Sequence, residues 1–74
     1  AEFIYKVSRT RIETTDEGLS VYMEVIVNYG YDIVKGLTDF KKKTKREIEN
    51  LTAMNVDSIE IIAKGIQLPE EGEK

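Results

Sequence analysis

Between Leu19 and Ile33 the hydrophobic period of the chain changes, and that change limits the fold more than any other feature. Leu19, Val21, Met23, Val25, Val27 and Tyr29 alternate with Ser20, Tyr22, Glu24, Ile26 and Asn28. A period of two places the first set on one side of an extended strand, as expected when one face of a sheet is buried. From Ile33 the stripe instead runs Ile33, Leu37, Phe40, Thr44, Ile48 and Leu51, apolar but for Thr44. That spacing draws one stripe along a helix. A strand of residues 19–29 spans about 36 Å at about 3.3 Å per residue. A helix from Ile33 to Ala53 spans about 31 Å at 1.5 Å per residue. The two elements therefore match in length, and each supplies one apolar face.

The joint between them reads VNYGYDI, residues 27–33. Two tyrosines and an aspartate around a glycine resemble a binding loop, but each has a structural role available. Gly30 relaxes the backbone where the strand ends. Asp32 offers a side-chain oxygen to the free N–H groups of the first helical turn. Tyr29 continues the inward row, and Tyr31 covers the joint.

Upstream, residues 3–13 are rich in β-branched and aromatic residues and predict a strand with a ragged start. Residues 14–18, TTDEG, supply a turn through Asp16 and Gly18. The two strands then form a hairpin. Downstream, residues 56–68 predict a third strand in which Ile59, Ile61 and Ala63 alternate with Glu60, Ile62 and Lys64. Gly65 marks a bulge or bend near its end. The order is β-β-α-β, an α+β fold with one three-stranded sheet and a single long helix on one face. The third strand lies beside the second in parallel or beside the first in antiparallel; the pattern is compatible with both. One domain occupies residues 1–68, and 69–74 is a polar tail expected to be disordered.

Composition narrows the function. At 74 residues, folding removes only about 60% of the unfolded chain's surface from water, so the core is thin and a partner or self-association would support it. Cysteine and histidine are both absent. No disulfide or thiolate metal site can form, and the commonest general base is missing. A formal charge of −3 argues against a dedicated nucleic-acid binder. No apolar run exceeds three residues, far short of the roughly 20 that a membrane-spanning helix needs. Direct membrane insertion is not expected.

No catalytic, cofactor-binding or metal-binding residue stands out. Asp16 with Glu17 and Glu70 with Glu71 are paired carboxylates in a turn and a tail, where burial has no means of tuning them. Lys41, Lys42, Lys43, Lys45 and Arg46 form a basic cluster, read as a solvated helix face because Asp39, Glu47 and Glu49 stand at pairing distance in sequence. The outer row of the sheet is the candidate interaction surface. Tyr22, Ile26, Ile62 and Ile66 are expected to point away from the helix, among Glu24, Glu60 and Lys64.

From Leu19 to Ile66 the chain resembles the alkaline shock protein family, the envelope stress response proteins of Gram-positive bacteria. The resemblance rests on the alternating strand ending in Tyr29-Gly30, then Ile33, Phe40, Ile48 and Leu51-Thr52. Val56, Ile59, Ile61 and the closing Gly65-Ile66 continue it without a gap. The chain departs from the family pattern at Ala53, where glycine is usual, at Val34, where proline is frequent, and at Thr44, where an apolar residue is usual. The family's first helix and its Gly-Val-rich segment have no counterpart here. The resemblance implies a cytoplasmic, non-enzymatic protein of the envelope that self-associates and reaches the membrane through a small membrane-anchoring protein partner. The alternative is a small nucleic-acid-binding domain of K-homology-like outline. Its Gly-x-x-Gly clamp has no equivalent, since Gly30 and Gly36 are six apart with the helix start between them.

Overall fold

The computed structural model describes residues 2–69. Strand β1 (Ile4–Thr15) and strand β2 (Gly18–Asn28) form an antiparallel hairpin, helix α1 (Ile33–Thr52) crosses over, and strand β3 (Val56–Gln67) closes the sheet. The order is β1-β2-β3, with β3 parallel to β2, which settles the alternative that the sequence pattern left open. The expected fold class is the one observed. The polar tail expected beyond Leu68 lies, apart from Pro69, outside the described residues.

The central strand carries the core. Leu19, Val21, Met23, Val25 and Val27 are all buried, and the alternate residues Ser20, Tyr22, Glu24, Ile26 and Asn28 are half-buried. Ile33, Leu37 and Phe40 of the helix pack on Met23, Val25 and Val27, together with Ile61 and Ala63 of β3. Ile48 packs at the other end on Leu19, Val21 and Val56. Thr44, midway along the stripe, is buried too.

Two positions depart from the expected pattern. Leu51 stands about five turns beyond Ile33 at 3.6 residues per turn, on the same line of the helix, yet it is 86% exposed. Among the described residues the packed stripe stops at Ile48, because the core beneath it ends at Leu19 and Val56. Tyr29, expected on the inward row, is 64% exposed. The strand ends at Asn28, and Gly30 turns the chain at φ +100° before another inward position forms.

Each junction is held by local chemistry. Asp32 has extended backbone angles and accepts a hydrogen bond from the Lys35 N–H at 3.1 Å, as an N-cap should. At the hairpin, Gly18 has φ +142°, and a Cβ there would clash with the Asn55 carbonyl oxygen. That carbonyl accepts from the Leu19 N–H at 2.8 Å. The loop after the helix is thereby fastened to the hairpin at a point where a side chain has no room. Gly36 has a comparable use: a Cβ on it would meet the Phe3 ring at 2.5 Å. Phe3 packs there and meets Tyr31 edge-on, with ring centroids 5.6 Å apart. Tyr31 thus covers the joint, as the sequence suggests.

The helix ends with Ala53 in the left-handed region, φ 58° and ψ 21°, its N–H bonded to the Glu49 carbonyl at 2.8 Å. An L-residue in that conformation costs about 1 kcal/mol relative to glycine. Ala53→Gly should therefore raise stability by up to about 1 kcal/mol, a melting shift of about 4–8 °C in a domain of this size. Thermal unfolding followed by circular dichroism measures it, and an unchanged or lower midpoint would contradict the assigned cap.

Glu49 fastens the same corner. Its carboxylate accepts from the Val56 N–H at 2.9 Å and from Lys45 Nζ at 3.1 Å. The Val56 bond first, then Lys45, hold its pKa below the ordinary glutamate value. A lowered folded-state pKa means that the contribution is complete above the unfolded value and is lost as pH falls through the folded one. Acidification below about 4.5 should loosen the α1–β3 junction. Glu49→Gln should flatten that part of the stability–pH profile measured by urea unfolding, and a profile unchanged by the substitution would argue against this role.

Candidate functional site

Among the described residues the sheet has helix packing on one face only, and the opposite face is assembled from all three strands. Residues paired across the ladders share a face. On the outer face, Lys6, Arg9, Arg11 and Glu13 of β1 pair with Ile26, Glu24, Tyr22 and Ser20 of β2. On the other side of β2, Ser58, Glu60, Ile62 and Gly65 pair with Ser20, Tyr22, Glu24 and Ile26.

Three of the four expected residues meet there. Tyr22, Ile26 and Ile62 are half-buried on this face. Ile26 and Ile62 are diagonal neighbours, and Gly65 leaves space beside Ile26, whose Cδ1 would lie 3.3 Å from a Cβ at that position. Ile66 does not belong to the group. The register slips between Ala63 and Gly65, which leaves Lys64 unpaired and places Ile66 opposite Val27, on the helix side. An extra residue in one strand reverses the alternation beyond it. Gly65 signals the bulge in the sequence, but not the resulting exchange of faces.

The face is polar around its apolar centre. The Tyr22 hydroxyl donates to Glu24 Oε2 at 2.6 Å, and the Arg11 guanidinium lies 5.6 Å from the Tyr22 ring centroid. The bond to Glu24 raises the Tyr22 pKa above its ordinary value, followed by burial and the charges of Glu24 and Glu60. Ser58 donates to Ser20 at 3.0 Å. These contacts hold tyrosine as a neutral donor and leave the ring and the two isoleucines as the apolar part of the surface.

A second uncovered region escaped the sequence reading. Val7, Thr10, Ile12 and Thr14 pair with inward residues Val25, Met23, Val21 and Leu19, so they face the helix layer. Val7 and Ile12 are nevertheless 45% and 49% exposed. From this end of the hairpin only Ile4 of β1 and Phe3 just before it pack into the core clusters, because α1 crosses from the start of β1 toward the start of β3. A helix about 10 Å across covers about two strands spaced 4.8 Å apart. Along most of its length β1 is the strand left out. Loose alternation in residues 3–13 hints at its inward row but not at the helix path.

Among the described residues, no group of acidic side chains is arranged to hold a metal ion, and no helix is long and apolar enough to cross a membrane. The sequence pattern of the alkaline shock protein family, described as having a cell envelope-related function, matches residues 8–68. The chain belongs to this family. No curated protein and no solved structure matches it. The match runs from within β1 through β3 and includes both uncovered surfaces except Lys6 and Val7. It lends no support to the K-homology-like alternative.

The VNYGYDI joint has its capping and packing roles in the structure, and Asp32→Ala tests whether it has more. The substitution should cost about 1 kcal/mol of stability through the lost cap and leave partner binding unchanged. Loss of binding by a protein that is still folded, measured by calorimetry, would make the joint part of a binding site.

Proposed function

We propose that this chain is a non-enzymatic interaction module in envelope stress response and cell-envelope homeostasis, acting from the cytoplasmic side. In this reading the outer sheet face, centred on Tyr22, Ile26 and Ile62, docks a protein partner. A small membrane-anchoring protein suits the envelope setting, and self-association uses the same apolar row. The observation that carries the proposal is the incomplete second layer. A domain of this kind normally packs each apolar face against another element, yet among the described residues no element covers the outer face. An apolar row framed by charges of both signs has the composition of a specific docking face: anchors at the centre and a polar rim. Membership of a family with a cell envelope-related function supplies the setting.

The double substitution Ile26→Thr with Ile62→Thr tests this. Both residues sit outside the helix-side core, so the variant should keep its β-sheet circular dichroism. Burial of two isoleucines contributes roughly 3–6 kcal/mol at about 1.5–3 each, before the cost of association. Self-association measured by sedimentation, or binding to a membrane-anchoring partner, should fall by at least an order of magnitude. A wild-type chain that stays monomeric at high concentration and binds no such partner would leave this face merely solvent-exposed and end the proposal.

A further inference from the structure

The positive charge of the protein is concentrated on one element. Helix α1 carries Lys35, Lys41, Lys42, Lys43, Lys45 and Arg46 against Asp39, Glu47 and Glu49, a net of +3. The other described residues carry four cations and eight carboxylates, a net of −4. Two of the helix carboxylates are already engaged: Asp39 with Lys35 at 3.0 Å and Glu49 with Lys45 at 3.1 Å. Among the described residues no ion pair holds Lys41, Lys42, Lys43 or Arg46. The sequence pattern suggests a solvated face neutralised by pairing, but of that cluster the structure pairs only Lys45, with Glu49, while Asp39 pairs with Lys35 instead.

Position makes these cations a surface. With Ile33, Leu37, Phe40, Thr44 and Ile48 directed at the sheet, a rotation of about 100° per residue puts Lys42 and Arg46 on the opposite, outermost side of the helix. Lys41 and Lys45 stand above the groove beside Val56–Ile59, which Lys42 also borders, and Lys43 stands on the β1 side near Phe3. The helix lies along an elongated body of 50 × 20 × 17 Å, so a flat surface can touch this side over much of its length.

We propose that the outer side of α1, centred on Lys42 and Arg46, rests on an anionic lipid surface, a contact of headgroups with no insertion. Charge complementarity selects an anionic partner. The net negative charge of the whole chain does not oppose it. Screening acts over about 8 Å at physiological ionic strength, about half the 17 Å thickness of the body, so carboxylates beyond the helix are largely hidden from a plane that touches its outer side. A nucleic acid fits less well. Single strands are held by aromatic rings interleaved with cations, and the one aromatic of α1, Phe40, packs into the core. This contact rests on the cell-envelope reading and extends it: the helix meets lipid while the opposite sheet face meets protein.

Vesicle flotation tests the contact. The vesicles are phosphatidylcholine alone, or phosphatidylcholine with about one-third phosphatidylglycerol, at low and at physiological salt. The wild-type chain should float with the anionic vesicles only, and less at the higher salt. Lys42→Gln with Arg46→Gln should weaken binding by about tenfold or more. Lys6→Gln with Lys64→Gln, equal in charge but on the sheet, should stay within about twofold. Absence of flotation with anionic vesicles at low salt, or equal loss in the two variants, overturns the proposal. So does displacement by an oligonucleotide at equal charge concentration, which marks a general polyanion site. Ile26→Thr with Ile62→Thr should float as wild type. Failure of flotation with protein association intact removes the lipid contact alone, and the reverse removes the docking face alone.

Discussion

The burial of one row of β2 beneath one stripe of α1 is the interaction on which everything else rests. Leu19, Val21, Met23, Val25 and Val27 are buried because the helix supplies Ile33, Leu37, Phe40, Thr44 and Ile48 along nearly the same length. β2 is also the central strand, paired on both edges. A chain this short cannot build a second core, so the remaining contacts serve to keep this one in register. Asn55 closes against Gly18, Phe3 against Gly36, and Glu49 against the Val56 N–H. Each fastens an end of the helix to an end of the sheet.

The same economy leaves two surfaces uncovered. One helix covers about two strands, so β1 keeps Val7 and Ile12 partly exposed on the helix side. The outer face has no helix of its own and carries Tyr22, Ile26 and Ile62 among charges of both signs. The free edges are poor templates for pairing with another chain. β1 changes register between Ile4 and Lys6 and again between Val7 and Arg9, and β3 does so at Asp57 and at Lys64. Bulges and charges of this kind blunt sheet edges. The faces are therefore physically better suited than the edges to the association proposed above.

Ala53 shows how a family-level departure acquires a physical meaning. The family pattern favours glycine after the helix, and the observed left-handed backbone at Ala53 gives the reason. The chain keeps the turn without the residue best suited to it, held by the Glu49 side chain and by the hydrogen bond from the Ala53 N–H to the Glu49 carbonyl.

The sequence alone determined the element order, the β2 core row, the N-cap at Asp32 and most of the helix stripe. These follow from local periodicity and from side-chain chemistry within a few residues. Tertiary structure decided the rest. β3 pairs with β2 rather than β1 because packing, not pattern, chooses a strand's neighbour. Ile66 lies on the helix side because one unpaired residue, Lys64, reverses the alternation, and its effect appears only against the partner strand. Leu51 keeps its place on the stripe and loses its burial because the core beneath ends first. Which strand the helix leaves uncovered, and which lysines its carboxylates leave free, depend on the crossing path and on side-chain reach, for which a single sequence carries no periodic signal.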